Sequence, residues 1–276
     1  MKRFEIEHTT RFSYSGPITE TVMEVRLQPL DGRGQRCLDF NLEISPRMPV
    51  GTYRDGYGNR VHYFNLLRAH DRVRVTSRSV VEMDLENSPD GSEADLVFDF
   101  LRFRPPVVDV PGVRRLASRH APADLASGPA VERALDALTV AISRDFAYDP
   151  AVTSVYTGVE EVLELRAGVC QDFAHLFIAA ARAIGVPARY VSGYIHIPGD
   201  GGVTEGASHA WAEAWIPNAG WVGFDATHPI RAGENHVRVA VGRDYRDAAP
   251  TRGVYVGTAT GSMNVNVRTR ARQTEG

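Results

Sequence analysis

Ser208-His-Ala-Trp-Ala-Glu-Ala-Trp-Ile-Pro-Asn-Ala-Gly-Trp-Val-Gly-Phe-Asp225 decides how the second half of the chain folds. Two alternating runs flank the turn-forming residues 217–220, so the stretch reads as a β-hairpin. With the register centred on Pro217, Ala210 faces Phe224 and Ala212 faces Val222, which makes one face wholly apolar. The opposite face then sets His209 across from Asp225, Trp211 from Gly223 and Glu213 from Trp221. A slipped register remains compatible with these residue types. A lone strand histidine is most often structural. A carboxylate across the ladder fixes its tautomer and stabilises the imidazolium, which suits it to proton transfer.

Upstream, residues 169–184 carry Phe173, Leu176, Phe177, Ala180, Ala181 and Ile184 at helical spacing, followed by Gly185 and Pro187 as stop signals. In Gly168-Val-Cys170-Gln-Asp-Phe-Ala174 the cysteine therefore lies in the first helical turn. Unpaired backbone N–H groups and the positive end of the helix dipole favour its thiolate there. Its own N–H is placed to donate to a developing oxyanion. A single cysteine is more often a small core residue; the company of His209 and Asp225 changes that reading. Cys170 would attack an acyl carbon, His209 would protonate the leaving amine, and Asp225 would orient the imidazole. Gln171 and Trp211 are candidates for substrate contact, with solvent exposure and core packing as their respective alternatives. Asp172 reads as a helix N-terminal charge, and His175, five residues on, points away from Cys170.

Four blocks carry a resemblance: Gly168-Val-Cys-Gln-Asp-Phe-Ala-His175, Gly185-Val-Pro-Ala-Arg-Tyr-Val-Ser-Gly-Tyr194, Ser208-His-Ala-Trp211 and Gly220-Trp-Val-Gly-Phe-Asp225. In this order they resemble the transglutaminase-like superfamily of papain-type thiol enzymes. Blocks 11–30 and 55–80 resemble the bacterial transglutaminase-like N-terminal region, and Val241-Gly-Arg-Asp-Tyr245 with Arg252-Gly-Val-Tyr255 is similar to the C-terminal part of the same bacterial proteins. The resemblance implies an α+β papain-like core, a helix bundle plus antiparallel sheet, with a Cys170–His209–Asp225 triad. One departure is Phe224-Asp-Ala-Thr-His228, where the family often has Pro after the Asp and Asn after the Thr. That is expected to touch the turn behind the triad and not the triad itself.

Outward from the core, the first hundred residues alternate at period two, as in Met23, Val25, Leu27 and again in Leu38, Phe40, Leu42, Ile44. Such short antiparallel strands, with Asp55-Gly-Tyr-Gly-Asn59 as a turn, predict an N-terminal β-sandwich-like domain. Its polar residues are expected on solvent faces, with no catalytic group among them. Asn87-Ser-Pro-Asp-Gly-Ser92 and the proline-rich residues 104–111 place the linker, giving an N-terminal β domain at 1–105 and a catalytic core with C-terminal strands at 106–276. Val131, Leu135, Leu138 and Ile142 predict one helix, and Thr157-Gly-Val-Glu160 a capping box opening another. Residues 270–276 read as a frayed tail.

With 31 basic and 34 acidic side chains and no basic stripe, a nucleic-acid surface is not expected. No apolar run is long enough for a membrane helix, and residues 1–8 lack the apolar stretch of a signal peptide, so the reading is cytoplasmic. Two cysteines 133 positions apart make neither a disulfide framework nor a zinc knuckle. A metal site from Cys170, His209 and either His196 or His228 has no close-spaced ligand pair, so no metal is expected, and no cofactor or calcium loop. Cys37 reads as structural. The expected partner is a peptide or protein substrate, and the expected reaction is amide cleavage through a thioester by a cysteine peptidase or amidase. Two alternatives stand beside it: protein-glutamine acyl transfer with crosslinking, and an inactive peptide-binding module. Because Lys2 is the one lysine, self-crosslinking would be minimal under any of these.

Overall fold

The computed structural model describes residues 1–85, 94–197, 203–206 and 208–273. The polar cluster at 87–92, expected above as part of the linker, lies outside them. In β1 (Lys2–Ile18) the even-numbered Phe4, Ile6, His8 and Thr10 are buried, while Glu7 and Arg11 are exposed. This period of two puts one face of the strand against the rest of the protein. β2 (Glu20–Val25), β3 (Gln35–Ser45), β4 (Gly51–Arg54), β5 (Arg60–Leu66) and β6 (His70–Met83) complete the N-terminal set. Alternation in the sequence placed β2, β3 and part of β6, and the 55–59 turn placed β4 and β5; β1 was not placed as a strand.

A 3-10 turn (Ala94–Leu101) leads into α1 (Pro111–Ser118) and α2 (Gly128–Asp145), whose Ser127 hydroxyl accepts the N–H of Ala130. Then come β7 (Ala147–Tyr148), α3 (Val159–Leu165), β8 (Ala167–Gly168) and α4 (Cys170–Ala183). The capping box expected at Thr157 does not form. Gly158 is the cap residue, and the Thr157 hydroxyl instead accepts the N–H of Ser154, closing the preceding turn. α4 stops where Gly185 takes φ 82°, a left-handed backbone that glycine adopts without strain.

β9 (Ala188–Ile195), β10 (Val203–Gly206), β11 (His209–Ile216), β12 (Gly220–Asp225), β13 (Ile230–Arg231), β14 (His236–Gly242), α5 (Tyr245–Ala248), β15 (Thr251–Val256) and β16 (Gly261–Gln273) finish the chain. Five strands in the order β13-β12-β11-β9-β14 form the sheet against which α4 packs. The apolar hairpin face, Ala210, Ala212, Ala214 and Phe224, shares one core with Phe173, Phe177, Leu135 and Ile142 of the helices. The architecture is α+β.

The hairpin register differs from the expected one by two residues. Ala212 pairs with Phe224, and Ile216 with Gly220. The cause is the turn Ile216-Pro-Asn-Ala219, in which the Ala219 N–H bonds to the Ile216 carbonyl and Asn218 has φ 65°. Proline followed by a positive-φ asparagine meets the requirements of a type II turn, which centres the hairpin one residue later than Pro217. A two-residue shift preserves the faces.

Two further sheets stack beside this one, in the orders β10-β16-β1-β6-β3 and β15-β2-β5-β4. Met23, Val25, Phe64 and Leu66 of one meet Val73, Val75 and Ile44 of the other. Phe4, Ile6 and Val81 meet Tyr194, Val237 and Val239 of the sheet that carries the hairpin. Both closing strands return to the N-terminal sheets, β15 onto β2 and β16 onto β1. The expected frayed tail at 270–276 is therefore corrected for 270–273. Gln273 pairs with Lys2, and Arg272 forms an ion pair with Glu5 at 2.8 Å. No helix among the described residues is long and apolar enough to cross a membrane.

Candidate active site

Cys170 occupies the first turn of α4, and Val169 is the residue before the helix. The Asp172 carboxylate accepts the Val169 N–H at 2.9 Å and the Thr153 hydroxyl at 2.7 Å. It thus fixes the approach to the cysteine and stands as a cap. Burial raises its pKa, which those two bonds only partly offset. The Gln171 side chain donates to the Val155 carbonyl at 3.3 Å. His175 is buried and accepts the Tyr245 N–H at 3.1 Å.

At the start of β11, His209 stands between Cys170 and Asp225. Its Nε2 lies 2.8 Å from Asp225 Oδ2, and it lines the same pocket as Cys170, whose side chain acts on its titration. With Nε2 on the carboxylate, Nδ1 is the nitrogen left for the sulfur. In the observed register His209 is diagonal to Asp225 on the odd-numbered face, a separation that a histidine side chain spans. Burial alone would lower the imidazole pKa. The bond to Asp225 and the Cys170 side chain outweigh it and raise it to about 10.

Asp225 is wholly buried. Its Oδ1 accepts the backbone N–H groups of Thr227 at 2.9 Å and His228 at 3.3 Å. Its Oδ2 meets three imidazoles: His209, His228 Nδ1 at 2.9 Å and His236 Nε2 at 3.2 Å. Burial pushes the carboxyl up, and the three imidazole bonds overcome this and hold it far below the usual range. His236 Nδ1 accepts the Gly233 N–H, so its Nε2 carries the proton given to Asp225.

The departure at His228 thus reaches the triad, contrary to expectation, because its side chain turns back three residues onto Asp225. His236 was missed altogether. It arrives from β14, and no local motif links it to the hairpin. His209, Asp225 and His228 bring ligand-type atoms within 4.8 Å of one another because they hydrogen-bond to the same carboxylate. His196 stands elsewhere, against Phe4 and Thr204.

Trp211 does not face the cysteine. It is buried with Val191 and Val241, stacks on His209 at 6.1 Å, and meets His236 edge-on at 5.2 Å. Gly193 makes this possible: an added Cβ would lie 2.1 Å from the Val237 carbonyl and 2.6 Å from the Trp211 ring.

The pocket over Cys170, about 200 Å³, is lined in part by His8, Thr10, Gln171, Tyr190 and His209. β1 therefore walls the site, and its polar His8 and Thr10 are not on a solvent face. They continue the inward set of Phe4 and Ile6. His8 bonds to Tyr194 and Thr10, both at 3.0 Å, and burial lowers its pKa to about 4. Tyr190 is 2% exposed, and its phenol pKa is raised by burial and then by the nearby Cys170. Among the described residues its hydroxyl has no hydrogen-bond partner.

Residues 120–226, which span Cys170, His209 and Asp225, match the model of the transglutaminase-like superfamily, and residues 4–82 match the bacterial transglutaminase-like N-terminal region. An uncharacterized protein of Mycobacterium leprae is 33% identical over 97% of this chain and 98% of its own. The chain belongs to the transglutaminase-like superfamily. Within it, an uncharacterized Mycobacterium tuberculosis protein is 36% identical over 96% of this chain and 91% of its own. A solved structure described as a candidate cysteine protease, from Cytophaga hutchinsonii, superposes with a TM-score of 0.76 at 25% identity, covering 100% of this chain and 92% of that one. A protein-glutamine gamma-glutamyltransferase of Pseudomonas aeruginosa is 31% identical over 34% of this chain and 16% of its own. The two family models together cover the hairpin sheet through β12 and the N-terminal strands.

Proposed function

We propose that the protein is a cysteine-dependent amide hydrolase. The observation that carries this reading is the His209 ring held between Cys170 and a buried, three-imidazole Asp225. Cys170 Sγ attacks the amide carbon and the C–N bond breaks, with the amine leaving on a proton from His209. Water then attacks the thioester and gives a proton to His209, which releases Cys170. The oxyanion of each tetrahedral intermediate accepts from the Cys170 N–H and from the Tyr190 hydroxyl, which has no hydrogen-bond partner among the described residues. The second reading is acyl transfer to an amine, favoured by the name of the Pseudomonas relative. Supplying a glutamine-containing protein and a labelled amine together separates them: a hydrolase releases the acid or cuts the chain, and a transferase incorporates the label.

Iodoacetamide at pH 7 tests the nucleophile. Burial, with Asp31 and Asp39 nearby, pushes the Cys37 thiol up to about 11, so Cys170 should be alkylated first by a wide margin. Equal rates at the two cysteines would remove the basis of the proposal. Tyr190→Phe tests the oxyanion donor. Thioester formation should slow by roughly 10²-fold, the usual cost of losing one such donor, while iodoacetamide alkylation, which forms no oxyanion, proceeds at the parent rate. Equal acylation rates in the parent and Tyr190→Phe proteins would assign the donor elsewhere.

A further inference from the structure

A second cleft, of about 580 Å³, opens beside the cysteine pocket, and Val155, Tyr245, Thr251 and Met263 line both. Its walls come from both ends of the chain: Tyr14 of β1, Tyr255 of β15 and Met263 of β16, together with the loop bearing Tyr156. The Tyr14 and Tyr255 rings lie 4.8 Å apart. Large apolar side chains are left in solvent here, with Tyr156 84%, Val254 69% and Met263 54% exposed. An exposed apolar patch of this kind marks a binding surface.

The charge of the lining is one-sided. Arg246 and Arg252 are its charged residues, no carboxylate lines it, and the chain as a whole has a net charge of −3. Among the described residues neither arginine forms an ion pair. The carboxylate nearest in register to Arg252 is Glu24, directly across the ladder. Its oxygens are held by the Arg26 guanidinium at 3.2 Å and the Tyr53 hydroxyl at 2.7 Å. Two guanidinium groups on the rim of an aromatic cleft, Arg252 acting on Glu24 only through its charge and without a direct ion pair, complement a ligand that is anionic and apolar at once.

We propose that this cleft is the substrate subsite and that it selects peptides in which the residues flanking the reactive amide include an aromatic side chain and a carboxylate. The assignment rests on the proposed function for its link to Cys170. Its binding content can be tested separately. The aromatic side chain lies among Tyr14, Tyr156 and Tyr255, and the carboxylate faces Arg246 and Arg252. The N-terminal and C-terminal strands thereby become the specificity element of the catalytic core.

The test uses the full chain carrying Cys170→Ala and four fluorescein-labelled hexapeptides alike except at two positions, which hold Phe with Asp, Phe with Lys, Ser with Asp, or Ser with Lys. Fluorescence anisotropy should rank Phe with Asp tightest. Arg252→Gln and Arg246→Gln should each weaken that peptide roughly two- to fivefold, as expected of solvent-exposed ion pairs, with little effect on the Lys peptides. Equal affinity for the Asp and Lys peptides would overturn the proposal without any variant being needed. So would an Asp preference that survives both substitutions. Iodoacetamide labelling of the unsubstituted chain is run beside it. A reactive Cys170 with no acidic preference rejects the subsite alone, whereas an inert Cys170 rejects the hydrolase reading and leaves the peptide ranking to decide the cleft.

Discussion

Replacing His209 with alanine should lower kcat on any amide substrate by about 10⁴- to 10⁶-fold, the range over which removing one member of such a unit lowers turnover. Asp225→Asn should cost nearly as much, for a reason specific to this site. The Oδ1 position accepts two backbone N–H groups, from Thr227 and His228, so an asparagine must keep its oxygen there. Its NH₂ then occupies the Oδ2 position and faces three imidazoles that had all been donating to a carboxylate. His209 would have to turn Nε2 into an acceptor, moving its proton to Nδ1, the nitrogen that faces sulfur. The double variant should be scarcely slower than His209→Ala, because the two act as one unit. Additive losses, or an Asp225→Asn protein of unchanged rate, would reduce Asp225 to a structural residue of β12.

The second large effect concerns stability. Glu213 is buried four residues along the same strand face and forms ion pairs with Arg33 at 2.7 Å and Arg189 at 2.8 Å. Arg33 comes from the loop before β3 and also donates to the Trp221 carbonyl. The cluster therefore pins the N-terminal sheets to the catalytic one. Glu213→Ala leaves two guanidinium groups facing each other with no anion, a loss of about 3–5 kcal/mol. Burial would raise the Glu213 pKa, but Arg33 and Arg189 outweigh it and bring it to about 2. A carboxyl depressed on folding stabilises the native state above its unfolded pKa, and that contribution disappears as pH falls through the folded one. Glu213 should thus contribute fully above about pH 5 and lose its effect on the way down to about pH 2. Urea midpoints of the parent and the Glu213→Ala protein should converge over that window. Equal midpoints at pH 7 would contradict the clamp.

The parts of the site legible in the sequence were those set by local chemistry. Cys170 follows from a helix start, and the odd parity of His209 and Asp225 from an apolar even face. Parity survives a two-residue slip, so the facing pair was recovered although the register was not. The Pro217-Asn218 turn held the missing information. His236 was not legible, because β14 reaches Asp225 only through the tertiary packing of the sheet. His8 and Thr10 were legible in principle, since they continue the Phe4 and Ile6 alternation, but polar residues in an inward set are easily read as solvent-facing. For β15 and β16 the alternation gave strands without naming partners. Their pairing with β2 and β1 depends on contacts more than two hundred residues apart in sequence. A fragment beginning at Pro106 would carry both strands without the sheets they complete.

The central claim, that Cys170 forms a thioester under the control of His209, is tested most directly by trapping that intermediate. The protein is mixed with p-nitrophenyl acetate, quenched in acid before steady state, and its intact mass and peptides are measured. The account predicts one acetyl group, on Cys170, that neutral hydroxylamine removes, that Cys170→Ala abolishes, and that His209→Ala accumulates far more slowly. An acetyl group carried by another residue, or turnover undiminished in Cys170→Ala, would contradict it.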